Sequence, residues 1–189
     1  MALMKPRPSA ATSEAFQSGL AELVKLGRAP RDLAPEGYAQ EVFVLSLNQV
    51  AKGADLDEAK SVSWQLLLDS ASGMPVAVSI GHPPAGKRPR VSSLARGPLV
   101  AKNLEFTAEV ESLPEVQTHD YELRRLFIAG LSIRAFWLKS LDGADDLLVP
   151  HDAVDEEFKR MQPYPAEKFL SVIRGRAEKR LKFNDRPKK

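Results

Sequence analysis

Cysteine is absent from the 189 residues, which excludes disulfides, thiolate metal sites and cysteine nucleophiles together and fits a reducing compartment. Histidine is scarce as well. His82, His119 and His151 stand far apart, each beside a Pro or an Asp. Long apolar runs are missing: no window approaches the roughly 18 residues of a membrane span, and the opening MALMKPRPSAATSEAF has early cations but no continuous apolar segment of a leader. A soluble, cytoplasmic chain with no membrane partner is the expectation. No internal repeat is visible either, which removes the solenoid and propeller architectures.

The composition, 43% hydrophobic and 28% charged, suits one packed core, and the length is short for two. The expected organisation is a disordered lead over 1–11, a single domain over 12–181 and a basic tail over 182–189. Within the domain, Tyr121–Ile128 and 131–138 are dense in Leu, Ile, Phe, Tyr and Trp, with Ala129-Gly130 as a turn between them. Asp142-Gly143 supplies a second turn, and 147–149 closes a three-stranded meander. Val62, Trp64, Leu66 and Leu68 alternate with polar residues, and Val76, Val78 and Ile80 repeat the pattern after a Ser-Gly turn, as in an antiparallel sheet covered on one side. A further buried strand is expected over 42–47.

Three helices complete the reading. The first starts at Thr12 or Ser13 and carries Phe16, Leu20, Leu23 and Val24; the second starts at Gly97-Pro98 and runs over 97–113. The last follows Pro163-Tyr164-Pro165 and places Ala166, Phe169, Leu170, Ile173, Ala177 and Leu181 at helical spacing. Strand runs separated by single helices give an α+β fold: a mainly antiparallel sheet of about six strands in two hairpin or meander units, one helix packed across a face, and terminal helices.

Motifs with chemistry in them fail on inspection. GHPPAGK, residues 81–87, has the spacing of a phosphate-binding loop after a strand. Arg88, however, replaces the magnesium-binding hydroxyl, and Pro89 blocks the helix whose amides would hold a phosphate. Its cations Lys87 and Arg88 remain candidate anion contacts. Gly130-Leu131-Ser132-Ile133-Arg134 lacks the second glycine of a nucleophile elbow. His151 with Asp152, Asp155 and Glu156 contains competent ligands, yet none stands at a diagnostic spacing, so no metal and no cofactor is expected. Trp64 and Trp137 lie on apolar strand faces and read as core.

Charge is unevenly distributed, although the net charge is only +2. Residues 141–158 hold seven acids and no Lys or Arg, whereas 167–189 hold nine Lys or Arg against three acids, among them Arg174, Arg176 and Arg180. The sequence points to a non-catalytic binding or assembly module whose partner is a protein or a second copy, the apolar strand at 147–149 being an edge that a second copy completes or a terminal segment covers. Two alternatives stand beside it. One is a small-molecule binder or enzyme with a pocket between the sheet and the 97–113 helix, drawing on Arg96, His119 and His151. The other is weak binding of nucleic acid or another polyanion along the basic last helix.

Overall fold

The computed structural model describes residues 3–34, 37–84, 86–154 and 156–184. Five helices and eight strands follow in the order α1 (Ala10–Lys25), β1 (Tyr38–Val44), α2 (Leu47–Lys52), β2 (Lys60–Leu68), β3 (Val76–Gly81), β4 (Val91–Arg96), α3 (Pro98–Glu111), α4 (Pro114–Thr118), β5 (Tyr121–Ile128), β6 (Ile133–Ser140), β7 (Leu147–Pro150), β8 (Tyr164–Pro165) and α5 (Ala166–Asn184). The strands form one sheet in the order β4-β3-β2-β1-β5-β6-β7-β8. The class is α+β. The sheet has eight strands instead of about six and is mixed: every neighbouring pair is antiparallel except β1 and β5, which run parallel with Glu41 beside Arg124 and Phe43 beside Leu126. That one pairing joins the two hairpin units edge to edge.

Alternation along the strands sorts the core into two layers. One face carries Trp64, Val78 and Ile80 under Phe16 of α1, and farther along Phe43, Leu126, Trp137 and Leu148 under Phe169, Ile173 and Ala177 of α5 and Val50 of α2. The other face carries Leu67 and Ala77 under Val100, then Leu123, Phe136, Leu138 and Val149 under Phe106 and Val110 of α3 and Val116 of α4. Beneath α3, between these apolar groups, runs a polar seam. Gln40 donates to Thr107 at 3.1 Å, Thr107 donates to the Asn103 carbonyl at 2.8 Å, and Arg125 spans Gln65 and Asn103. Burial lowers the Arg125 guanidinium to about 10, with Arg134 adding to the effect.

Several local expectations shift. Ser9, not Thr12 or Ser13, caps α1, its hydroxyl accepting from the Thr12 amide. Within the segment 1–11, expected to be a disordered lead, Met4 bridges to Glu122 of β5 and Ala10 and Ala11 belong to α1. The β1–β5 pairing begins only at Glu41–Arg124, and Met4 sits beside the start of β5 instead, donating to the Tyr121 carbonyl at 2.7 Å and accepting from Leu123 at 3.0 Å. The strand over 42–47 begins earlier, at Tyr38, and Leu47 opens α2, with Ser46 and Gln49 forming a reciprocal capping box. Residues 91–96, for which no strand is expected from the sequence, form β4. Strand β7 is not an edge, because β8 covers it through Leu147–Pro165 and Leu148–Tyr164 pairings. The tail expected over 182–189 continues α5 to Asn184; residues 185–189 lie outside the described residues.

Candidate anion-binding groove

Helix α5 is anchored by its apolar stripe, Phe169, Ile173 and Ala177 being fully buried against the sheet. Positions three and four residues apart share a face, so Arg176, Lys179, Arg180 and Phe183 line one flank. That flank meets the turn between β5 and β6. The turn is a 3-10 segment, Ala129–Leu131, ended by Ser132 in the left-handed region at φ 56°. Gly130 fits there because the turn presses on α2: a Cβ at that position would stand 2.8 Å from the Leu47 Cβ. Between turn and helix lies a groove of about 480 Å³ lined by Gly130, Leu131, Ser132, Arg176, Lys179, Arg180 and Phe183. Among the described residues no carboxylate lines it. Phe183 is 64% exposed, and Arg176 donates to the Val154 carbonyl, which holds its guanidinium at the groove wall.

The structure divides the other sequence candidates among separate places. Arg174 points away from Arg176 and Arg180, its guanidinium lying against Gly53, on the side of a cavity of about 590 Å³ shared with Asp55, Asp57, Lys139, Asp145 and Asp146. Among the described residues no carboxylate lies within ion-pair distance of Lys168, Arg174, Lys179, Arg180 or Lys182. Lys87 and Arg88 are exposed in the segment between β3 and β4, and the chain after them enters a strand where a phosphate-binding loop needs a helix. Arg96 lies on the edge strand β4, its guanidinium donating to the Arg28 carbonyl at 3.4 Å.

His119 is exposed and 3.1 Å from Asp142. The Asp120 and Ala144 amides, then the His119 and Ser140 side chains, hold the Asp142 carboxyl down at about 2. His151 is buried beside Phe136 and Phe106, with ring centroids 4.3 and 5.7 Å away. Burial, with Arg125, Arg134 and Arg160 contributing, lowers it to about 3, so it is neutral. Arg96, His119 and His151 therefore do not converge, and the space between α3 and the sheet is filled by Phe106, Val110 and the polar seam. Asp152 is exposed beside Arg134, Glu156 is exposed, and Asp155 is outside the described residues. Among the described residues no group of three His, Asp or Glu could hold a metal, and no helix is long and apolar enough to cross a membrane.

One cluster escapes a sequence reading because it draws on two strands and a loop. Ser61 donates to Glu41 and stands 2.6 Å from the His82 Nε2, itself 3.8 Å from Glu41. A serine hydroxyl has one proton. With that proton on Glu41, His82 must donate to Ser61 and cannot serve as its base, so the geometry is not that of a nucleophile activated by histidine. Phe183 was legible, seven residues after Arg176 on the same helix flank; the turn that faces it was not. Comparison with family models, with curated proteins and with solved structures finds no match to the chain.

Proposed function

We propose that the chain is a binding module without chemistry of its own, and that its principal surface is the α5 groove, which takes the sugar-phosphate backbone of single-stranded nucleic acid. The observation that carries this reading is the pair Lys179 and Arg180, neither within ion-pair distance of a carboxylate among the described residues, beside the exposed Phe183. Cations neutralise phosphates and release counterions, while a base stacks on an aromatic ring at about 1–3 kcal/mol. The groove offers no fixed set of side-chain acceptors to read base edges, so recognition is independent of sequence.

The test is a fluorescence titration of the full chain with short single-stranded and duplex DNA at two salt concentrations. Single strands should bind more tightly, with affinity falling steeply as salt rises. Lys179→Glu combined with Arg180→Glu should flatten the salt dependence by roughly one to two units of log–log slope. Phe183→Ala should weaken single-stranded binding several-fold and leave duplex binding unchanged. Undetectable binding at low salt, or binding insensitive to salt, would overturn the reading.

A further inference from the structure

We infer that the open edge of the sheet at β4 is a second docking site, one that accepts an extended peptide carrying apolar and carboxylate side chains in turn at every second position, along one face. β4 pairs with β3 alone, so half of its backbone donors and acceptors face outward, a ready template for one more strand. Nothing within Val91–Arg96 blocks such an addition: the strand contains no proline, lysine or acid. A bulge at its start shifts the register between Ser79 and Ile80, leaving Ser93, Leu94, Ala95 and Arg96 in even pairing with β3.

The space beside this edge is already shaped. A groove of about 560 Å³ runs between β4 and the end of α1, with Leu23, Val91 and Leu94 as its apolar wall and Arg28 and Arg96 at its rim. Leu94 and Arg96 share the α1 face, since they pair with Val78 and Val76. An added strand would thus set one apolar side chain against Leu94 and a carboxylate, two residues along, near Arg96 and Arg28.

Charge selects the partner. Residues 70–104 contain no Asp or Glu and five Lys or Arg, namely Lys87, Arg88, Arg90, Arg96 and Lys102. Among the described residues no carboxylate pairs with Arg28, Lys87, Arg88, Arg90 or Arg96. A second copy joined through β4 would set this acid-free stretch against itself, which like-charge repulsion opposes. A nucleic acid would satisfy the arginines but not the alternating amides and carbonyls of a strand edge. An acidic strand satisfies both.

The probe is a fluorescein-labelled peptide about eight residues long in which Val and Glu take turns at every second position with Thr between them, so that both fall on one face; its counterpart, the Lys–Val peptide, has Lys in place of Glu. Both are titrated against the full chain and followed by anisotropy and by amide hydrogen exchange. The Glu–Val peptide should bind saturably and slow exchange across Ser92–Arg96, while the Lys–Val peptide should not bind. Arg90→Glu with Arg96→Glu, which changes only exposed side chains, should weaken binding at least tenfold, and Ser93→Pro should do the same by breaking the edge. Lys179→Glu with Arg180→Glu should leave it unchanged, which separates this site from the α5 groove. Failure of the Glu–Val peptide to bind, equal binding of both peptides, or binding without protection of β4 would overturn the inference. A mass of twice 20.8 kDa in light scattering that Ser93→Pro returns to one chain would make a second copy the occupant and overturn it equally.

Discussion

On either side of the β1–β5 junction the sheet has four strands with helices above and below, yet the two sides are finished differently. In β5, β6 and β7 the inward residues Leu123, Leu126, Ile128, Phe136, Trp137, Leu138, Leu148 and Val149 are almost fully buried, and the far edge ends in the two-residue β8, whose Pro165 has no amide hydrogen to offer another strand. In β2, β3 and β4 the helix α1 covers Trp64, Val78 and Ile80, while Leu66, Val91 and Leu94 stay half-buried and the far edge is open. The closed side holds the structure. The open side trades packing for access, since a strand edge and a groove can bind only where a core does not fill them.

The largest way to break that comparison is at the two tryptophans. Trp137→Ala should cost about 3–5 kcal/mol in denaturant melts, because it empties a fully packed site. It also strips Asp146 of the indole N–H at 2.9 Å and removes a ring beneath Arg124. Trp64→Ala should lose about half as much, its half-exposed neighbours being able to close in. Equal losses would erase the contrast between the sides.

Acid should act on the closed side through His151. Its folded value of about 3 lies below the ordinary 6.5, so the unfolded chain takes up the proton first. Stability is therefore intact above about pH 6.5 and declines toward pH 3, by up to about 1.4 kcal/mol per pH unit from this group. His151→Phe should flatten that part of the profile in urea melts at several pH values; an unchanged acid limb would place the liability elsewhere.

A smaller effect separates two glycines in the left-handed region. Gly53, at φ 84°, is crowded by the Arg174 guanidinium, whereas Gly73, at φ 71° in the β2–β3 turn, has open space where a Cβ would stand. Gly73→Ala should cost about 1 kcal/mol from backbone conformation alone. Gly53→Ala should cost more, by the displacement of Arg174. Thermal melts giving the reverse order would show that Arg174 yields freely.

Local rules made much of this legible. Gly97-Pro98 marks the start of α3, the alternation from Val62 to Ile80 marks β2 and β3, and the spacing from Ala166 to Ala177 marks the buried stripe of α5. The Ser46–Gln49 pair even carries the capping-box spacing of α2, but a six-residue helix has too short a period to stand out from it. β4 was hidden because Val-Ser-Ser-Leu-Ala-Arg follows two prolines and a basic run and, as an edge, needs little apolar alternation. The parallel β1–β5 pairing has no local signal at all: Glu41 and Arg124 have α2, β2, β3, β4, α3 and α4 between them in the chain. Of the candidate groove, the cations on α5 could be read from helical spacing. The turn opposite them, and the departure of Arg174 to another cavity, depend on tertiary packing.

That parallel pairing also sets a timetable. β1 to β4 can assemble by neighbouring antiparallel contacts, and so can β5 to β7, each closing only short loops, whereas joining β1 to β5 must close everything between them. The two units should therefore collapse separately and fast, and their union should be the late, rate-limiting event of refolding. Until it occurs, β1 and β5 each expose a sheet edge. A crowded refolding mixture would find its aggregation-prone species there, in a chain whose halves are formed but not yet joined.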